Sequence, residues 1–249
     1  MKPSLSSAHP SGMRLRLFVA PVVLALLAAV SLRSQPRGAA DHPVVVELFT
    51  SQGCSSCPPA DELLRSVASD ASMRGKVIAL SFHVDYWNRL GWADPFSSRL
   101  WTARQAAYVR SMKLNGAYTP QAVVNGRQQF VGSNATALRA AIDSESRRAR
   151  SATVTVRIDG DAVVVDATAP ATAEVILIAF ENGLTTTVER GENGGRTMKN
   201  DGVVRELRRI GVGDVTQRVP MKLGPSMGVA ALIQERGSLH IEAAAVAYR

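Results

Sequence analysis

Cysteine and histidine are scarce: the 249 residues hold two Cys and four His, and aromatic residues make up only 5%. So few thiols exclude the multiple disulfides that usually staple small secreted domains. Structural zinc takes four Cys or His ligands, usually paired, and beyond residue 40 only His42, His83 and His240 remain, none of them paired. Acid is missing altogether from residues 1–40, which carry Lys2, Arg14, Arg16, Arg33 and Arg37. The formal charge of +8 falls to +3 once those five bases are set aside. No basic stripe is interleaved with aromatics, which excludes nucleic acid as a partner. After residue 40 no stretch is apolar enough to span a bilayer, and the chain has no internal repeat or low-complexity tract.

Apolar residues are not scarce. They make up 46% of the chain against 20% charged, enough for a substantial core in one large domain or two ordinary ones. The first apolar run, Leu17 to Leu32, follows Lys2, Arg14 and Arg16 and leads to Gly38-Ala39-Ala40. A basic start, a short apolar run and small residues form the pattern of an export signal. Residues 1–40 are therefore read as a signal peptide or an uncleaved N-terminal anchor. The rest of the chain is expected to be periplasmic or secreted, touching a membrane only through such an anchor.

Residues 44–64, VVVELFTSQGCSSCPPADELL, carry the most information. A β-branched run from Val44 predicts a buried strand, and Ser51-Gln52-Gly53 break it. Ala60, Leu63, Leu64 and Val67 then fall at helical spacing, with Pro58 and Pro59 in the first turn, where a missing N–H costs nothing. Cys54 and Cys57 thus stand between the end of a strand and the start of a helix. There, unpaired N–H groups and the helix dipole stabilise a thiolate.

Farther along, Lys76 to Phe82 predicts a second buried strand, and His83 to Phe96 a loop rich in His, Asp, Tyr and Trp. A helix is predicted from a Ser97 or Ser98 cap to about Met112, and strands over 121–124 and 128–131 about an Asn125-Gly126 turn. A last helix follows a Ser133 or Asn134 cap. From Thr153 the pattern shifts to short alternating strands, seven or eight of them. The expected fold class is an α/β thioredoxin-like domain over 41–150 followed by a small all-β, sandwich-like domain over 151–249. The glycine-rich stretch 190–202 reads equally as a functional lid or a plain loop.

The chemistry expected of the cysteines is thiol–disulfide exchange with a protein or a small-molecule thiol or disulfide. Cys54 is the exposed attacking thiolate and Cys57 the resolving thiol. Glu47, in the apolar strand, either accepts a proton from Cys57 or faces elsewhere. His83 and Asp85 either supply charge near the sulfurs or order their loop. Tyr86, Trp87, Trp92 and Phe96 either line a groove, with Trp87 at the substrate, or seal a core edge. No cofactor is needed beyond a redox-active disulfide. Two other readings stand beside this one: a copper(I) module built on the two thiolates, and an interaction protein with an inert disulfide.

Strand, CxxC and helix, with Thr119-Pro120 before a later strand and hairpin, resemble the thioredoxin superfamily over residues 44–149. The resemblance implies a cis bond at Pro120 beside the disulfide, with the backbone around Thr119 binding substrate. More closely, VELFTSQGCSSCPPAD, SFHVDYWNRLGWADPF, TARQAAY, YTPQAVVNG and GVVREL look like a family of exported bacterial proteins catalogued as a domain of unknown function. That likeness implies the thioredoxin-like fold and no established reaction. The chain departs from thioredoxins at Ser55-Ser56, in having no Trp before Cys54, and in the loop 83–96.

Overall fold

Strand β1 (Val44–Thr50) is buried along its whole length, and all its residues but Glu47 and Thr50 are apolar, because both of its faces are covered. The computed structural model describes Met1 and residues 42–249, so the segment read as a signal or anchor lies outside the described residues. Strand β2 (Val77–His83) runs parallel to β1, in register from Val44↔Val77 to Thr50↔His83. Parallel neighbours need a crossover, and helix α1 (Pro58–Ser69) supplies it. Strands β3 (Gln121–Val124) and β4 (Gln128–Val131) form an antiparallel hairpin on the other edge of β1. Asn125 and Gly126 turn it, both at positive φ (47° and 65°), the geometry that matches strand twist.

Helix α2 (Arg99–Ser111) starts where the Ser98 hydroxyl accepts the Leu100 N–H. Helix α3 (Ala135–Ser146) starts where Asn134 Oδ1 accepts the Ala137 N–H at 3.0 Å. The strand period decides which helix covers which face. Val44, Val46 and Leu48 pack with Leu64 of α1 and Leu138 of α3. Val45 and Phe49 pack with Trp101 and Tyr108 of α2.

Beyond residue 151 come β5 (Thr153–Asp159), β6 (Ala162–Thr168), β7 (Ala173–Glu181), β8 (Leu184–Thr187) and β9 (Thr197–Asn200). They are followed by β10 (Val203–Val212), β11 (Val215–Pro220), β12 (Met227–Glu235) and β13 (Ile241–Tyr248). Their arrangement overturns the expected fold class. There is no α/β thioredoxin-like domain followed by a separate β-sandwich-like one. Strands from both parts form a single mixed eight-stranded sheet, in the order β13-β12-β7-β10-β2-β1-β3-β4. The described chain is mostly β, with three α-helices among the described residues.

The physical reason lies at β2. Its outer edge is taken by the start of β10, parallel to it, with Val203 opposite Ser81. Ser81 N–H donates to Gly202 O at 2.7 Å. Ile176, Ile178, Phe180 and Leu232 then close over the same core as Phe49, Ile78 and Phe82. A separate three-stranded sheet, β11-β6-β5, covers the opposite face of β7 and β12 through Val163, Val165, Leu177 and Ala231. Strands β8 and β9 form a hairpin of their own, so the stretch 190–202 includes a short strand that the sequence reading did not contain. Among the described residues, no helix is long and apolar enough to cross a membrane.

Candidate functional site

The cysteines stand where β1 ends and α1 begins. Cys57 is the residue before the helix, its carbonyl accepting the N–H groups of Ala60 (2.9 Å) and Asp61 (3.1 Å). Cys54 and Cys57 are joined by a disulfide, with Cα atoms 5.4 Å apart. Thr119 reaches the site from β3's leading turn. Its hydroxyl accepts from Trp87 Nε1 at 2.8 Å and donates to Cys54 Sγ at 3.3 Å. Ser56 Oγ also lies 3.3 Å from that sulfur. The Thr119–Pro120 bond is cis. Of the predicted residues, Thr119, Pro120 and Trp87 are therefore grouped with Cys54.

Other expectations are corrected. Cys54 is not exposed: both cysteines are at 0% of their free accessibility, while Ser55 and Ser56 between them face solvent. The cover comes from the stretch before β9. Asn193, itself fully buried, donates from Nδ2 to the carbonyls of Gln52 and Cys54, each at 2.9 Å. Glu192 Oε2 accepts the Ser55 N–H at 2.9 Å. The Ser55 hydrogen bonds hold the Glu192 carboxyl below the ordinary value.

Glu47 does not serve Cys57. It lies on the α2 face of the sheet, whereas α1 packs on the other face. Its carboxylate takes two hydrogen bonds from Arg104, at 2.5 and 2.7 Å, and one from the Tyr108 hydroxyl at 2.7 Å. Gln234 of β12 donates to that hydroxyl at 3.0 Å and accepts from Arg104 at 3.2 Å. Burial disfavours the Arg104 charge, but Glu47 outweighs it and holds the guanidinium firmly protonated. This buried ion pair ties β1, α2 and β12 together.

Asp85 orders its loop: its N–H and its carboxylate both bond the Thr102 hydroxyl of α2, at 3.1 and 2.6 Å. His83 is buried and its Nδ1 lies 2.7 Å from Asp94 Oδ2, which also accepts the Gln52 N–H at 2.7 Å. Burial opposes the His83 charge, yet the Asp94 carboxylate, its hydrogen bond and Asp61 hold the pKa above the ordinary 6.5. Phe96 stands edge-on to the His83 ring, and Trp92 Nε1 bonds Gln52 of the cysteine loop at 3.2 Å. Among the described residues, no group of three or more His, Cys, Asp or Glu is placed to hold a metal ion.

One residue absent from the sequence reading joins this site. Asp61, four residues after Cys57, is only 7% exposed, and neither carboxylate oxygen has a hydrogen-bond partner. Burial pushes its pKa up to about 7, against opposing pulls from His83 and the nearby Thr50 hydroxyl, which stands outside hydrogen-bond geometry. An acid in a first helical turn ordinarily complements the dipole at the surface, which is why the sequence gives it no distinction.

The sequence from residue 45 to 234 matches a family described as protein of unknown function (DUF1223). Protein AGR_C_4864 from Agrobacterium tumefaciens, known from a crystal structure, is 35% identical, with a TM-score of 0.69 over 82% of this chain and 93% of that one. HBP35 of Porphyromonas gingivalis has a similar fold at 16% identity, with a TM-score of 0.61 over 83% of this chain and 74% of that one. No curated protein matches the sequence. With the family match covering most of its length and the Agrobacterium tumefaciens protein 35% identical over 82% of it, the chain belongs to the DUF1223 family.

Proposed function

We propose that the protein is a thiol–disulfide oxidoreductase acting through Cys54 and Cys57 on a protein or small-molecule thiol or disulfide, in an exported compartment. The observation that carries this reading is the environment of Cys54 Sγ. It receives the Thr119 hydroxyl and adjoins Ser56 Oγ at a helix start, where donors and dipole favour a thiolate. A purely structural disulfide across two residues would restrain the unfolded chain little, because long loops gain more. Strand, CxxC, helix and a Thr-Pro turn are the local features shared with thioredoxin-superfamily sites, here set in a different and larger sheet. Copper(I) transfer finds less support, since among the described residues no third His, Asp or Glu is grouped with the two cysteines in a cluster that could hold a metal ion.

The test equilibrates the purified protein across a glutathione redox series and counts free thiols. The expected result is a two-electron transition between dithiol and disulfide within the series. A pair that never reduces with excess dithiol, or never reoxidises, would sink the reading.

A further inference from the structure

Between α1 and the ends of β1 and β2 lies a set of buried polar atoms without hydrogen-bond partners: Thr50 Oγ1, both Asp61 oxygens, Ser81 Oγ and His83 Nε2. Strand period puts Thr50, Ser81 and His83 on the face that α1 covers, the face of Val46 and Ala79. Cys57 and Asp61 are four residues apart and so stack on one side of α1, with Ala60 and Leu64, toward that face. Buried polar groups are nearly always paired, so a cluster of unpaired ones calls for an explanation, and a redox or catalytic role is one. A cleft of about 230 Å³ lies beside the helix start, lined by Pro58, Asp61, Glu62, Arg196 and Lys199, so Asp61 stands between the buried set and this cleft.

We propose that Asp61 is the proton acceptor and donor for the Cys57 thiol, with His83 and Asp94 as positioning residues that hold a positive charge beside it. The inference rests on the exchange reaction proposed above. In the resolving step, Cys54 is joined to a substrate sulfur and Cys57 is a buried thiol. The Cys57 proton passes to the Asp61 carboxylate as Cys57 Sγ attacks Cys54 Sγ. The Cys54–Cys57 bond forms, the Cys54–substrate bond breaks, and its electron pair leaves on the substrate thiolate, which solvent protonates. The protein dithiol is thereby oxidised and the substrate disulfide reduced. In the reverse direction Asp61 returns its proton to the departing Cys57 thiolate.

An acceptor for this role must titrate near the working pH. Burial raises Asp61 into that range, and His83 keeps it from rising further. The charged groups bearing on the pair are Asp94 from the loop after β2, Arg205 from β10, and Glu62, Arg196 and Lys199 around the cleft. A carboxylate that merely complemented the helix dipole would titrate as an ordinary exposed acid.

The test uses the full chain. Exchange with glutathione disulfide is followed in single turnover from pH 5 to 9 for wild type, Asp61→Asn and Asp61→Glu. Wild type is expected to show an inflection near pH 7. Asp61→Asn should lose it and resolve the mixed disulfide at least tenfold more slowly at pH 7, and Asp61→Glu should restore it in part. Carboxyl-carbon NMR of wild type gives an independent reading: the Asp61 titration is expected near 7 and should move when the cysteines are reduced. An unchanged profile in Asp61→Asn, or a carboxyl that titrates like an exposed one and ignores the disulfide, would overturn the assignment while leaving exchange itself intact. Wild type that exchanges with nothing would instead remove the parent reading.

Discussion

Two buried carboxylates show how neighbours decide what a residue does. Glu47 and Asp61 are both enclosed, yet Glu47 is met by Arg104 and Tyr108, and Asp61 by no donor. The first is a structural tie and the second titrates near neutral pH. That difference makes a stability prediction for Asp61. An unfolded aspartate titrates near 3.8, and the folded one at about 7. Between those values the folded protein holds a proton that the unfolded chain has released, so stability falls as pH rises through the window. The full loss is roughly 4 kcal/mol, reached above pH 7. Asp61→Asn does not titrate. Its advantage over wild type in urea unfolding is therefore expected to be small at pH 4, to grow to pH 7 and then to level off. A difference that stays constant across this range would show that Asp61 ionises freely in the folded state.

At the scale of elements, the cysteine loop is held down by a segment far away in sequence. Asn193 supplies two hydrogen bonds to the loop carbonyls and Glu192 accepts a third, so both sulfurs are covered. A net contribution of about 1 kcal/mol per neutral bond makes Asn193 worth about 2 kcal/mol against opening. Asn193→Ala is expected to speed reduction of the disulfide by a small dithiol at least tenfold, with an unchanged far-UV spectrum. An unchanged or slower rate would mean that the strap does not limit access.

Such contacts also mark where the sequence stops being readable. Strands β1 to β4, helices α1 and α2 and the start of α3 were legible within a residue or two, because period, caps and turn residues are local signals. So were β5 to β8 and β10 to β13 as strands, β9 alone being missed. Which strands would pair was not legible: the apolar run of β2 looks the same whether its outer edge is free or taken by β10. Cys54, Thr119 and Trp87 could be placed together from the motif and the turn. Asn193 could not, since nothing local distinguishes a buried amide in RGENGGRT from one in a solvated loop.

At the scale of the whole molecule, one narrow seam joins the two parts of the large sheet. On one side stand the four strands that carry the disulfide, and on the other β7, β10, β12 and β13. Between them the described ladder amounts to Val203 opposite Ser81 and the bond from Ser81 N–H to Gly202 O. Side chains do the rest, through the core that Phe49, Phe82, Ile178 and Phe180 share. The seam closes only because residue 202 has no side chain. Gly202 has φ +66°, and a Cβ there would stand 2.3 Å from the Ala79 carbonyl oxygen and 3.1 Å from its carbon, backbone atoms that cannot swing away. Gly160, in the β5–β6 turn, has a similar φ of +61° but nothing within 4 Å. Gly160→Ala should thus cost only the left-handed backbone penalty, about 1–2 kcal/mol. Gly202→Ala carries that penalty and must also push β10 off β2, so it is expected to cost several kcal/mol more in urea unfolding and to accelerate hydrogen exchange at the Ser81 amide. Equal losses in the two variants, or an unaltered Ser81 amide, would show that the shared side-chain core holds the two parts together without the backbone seam.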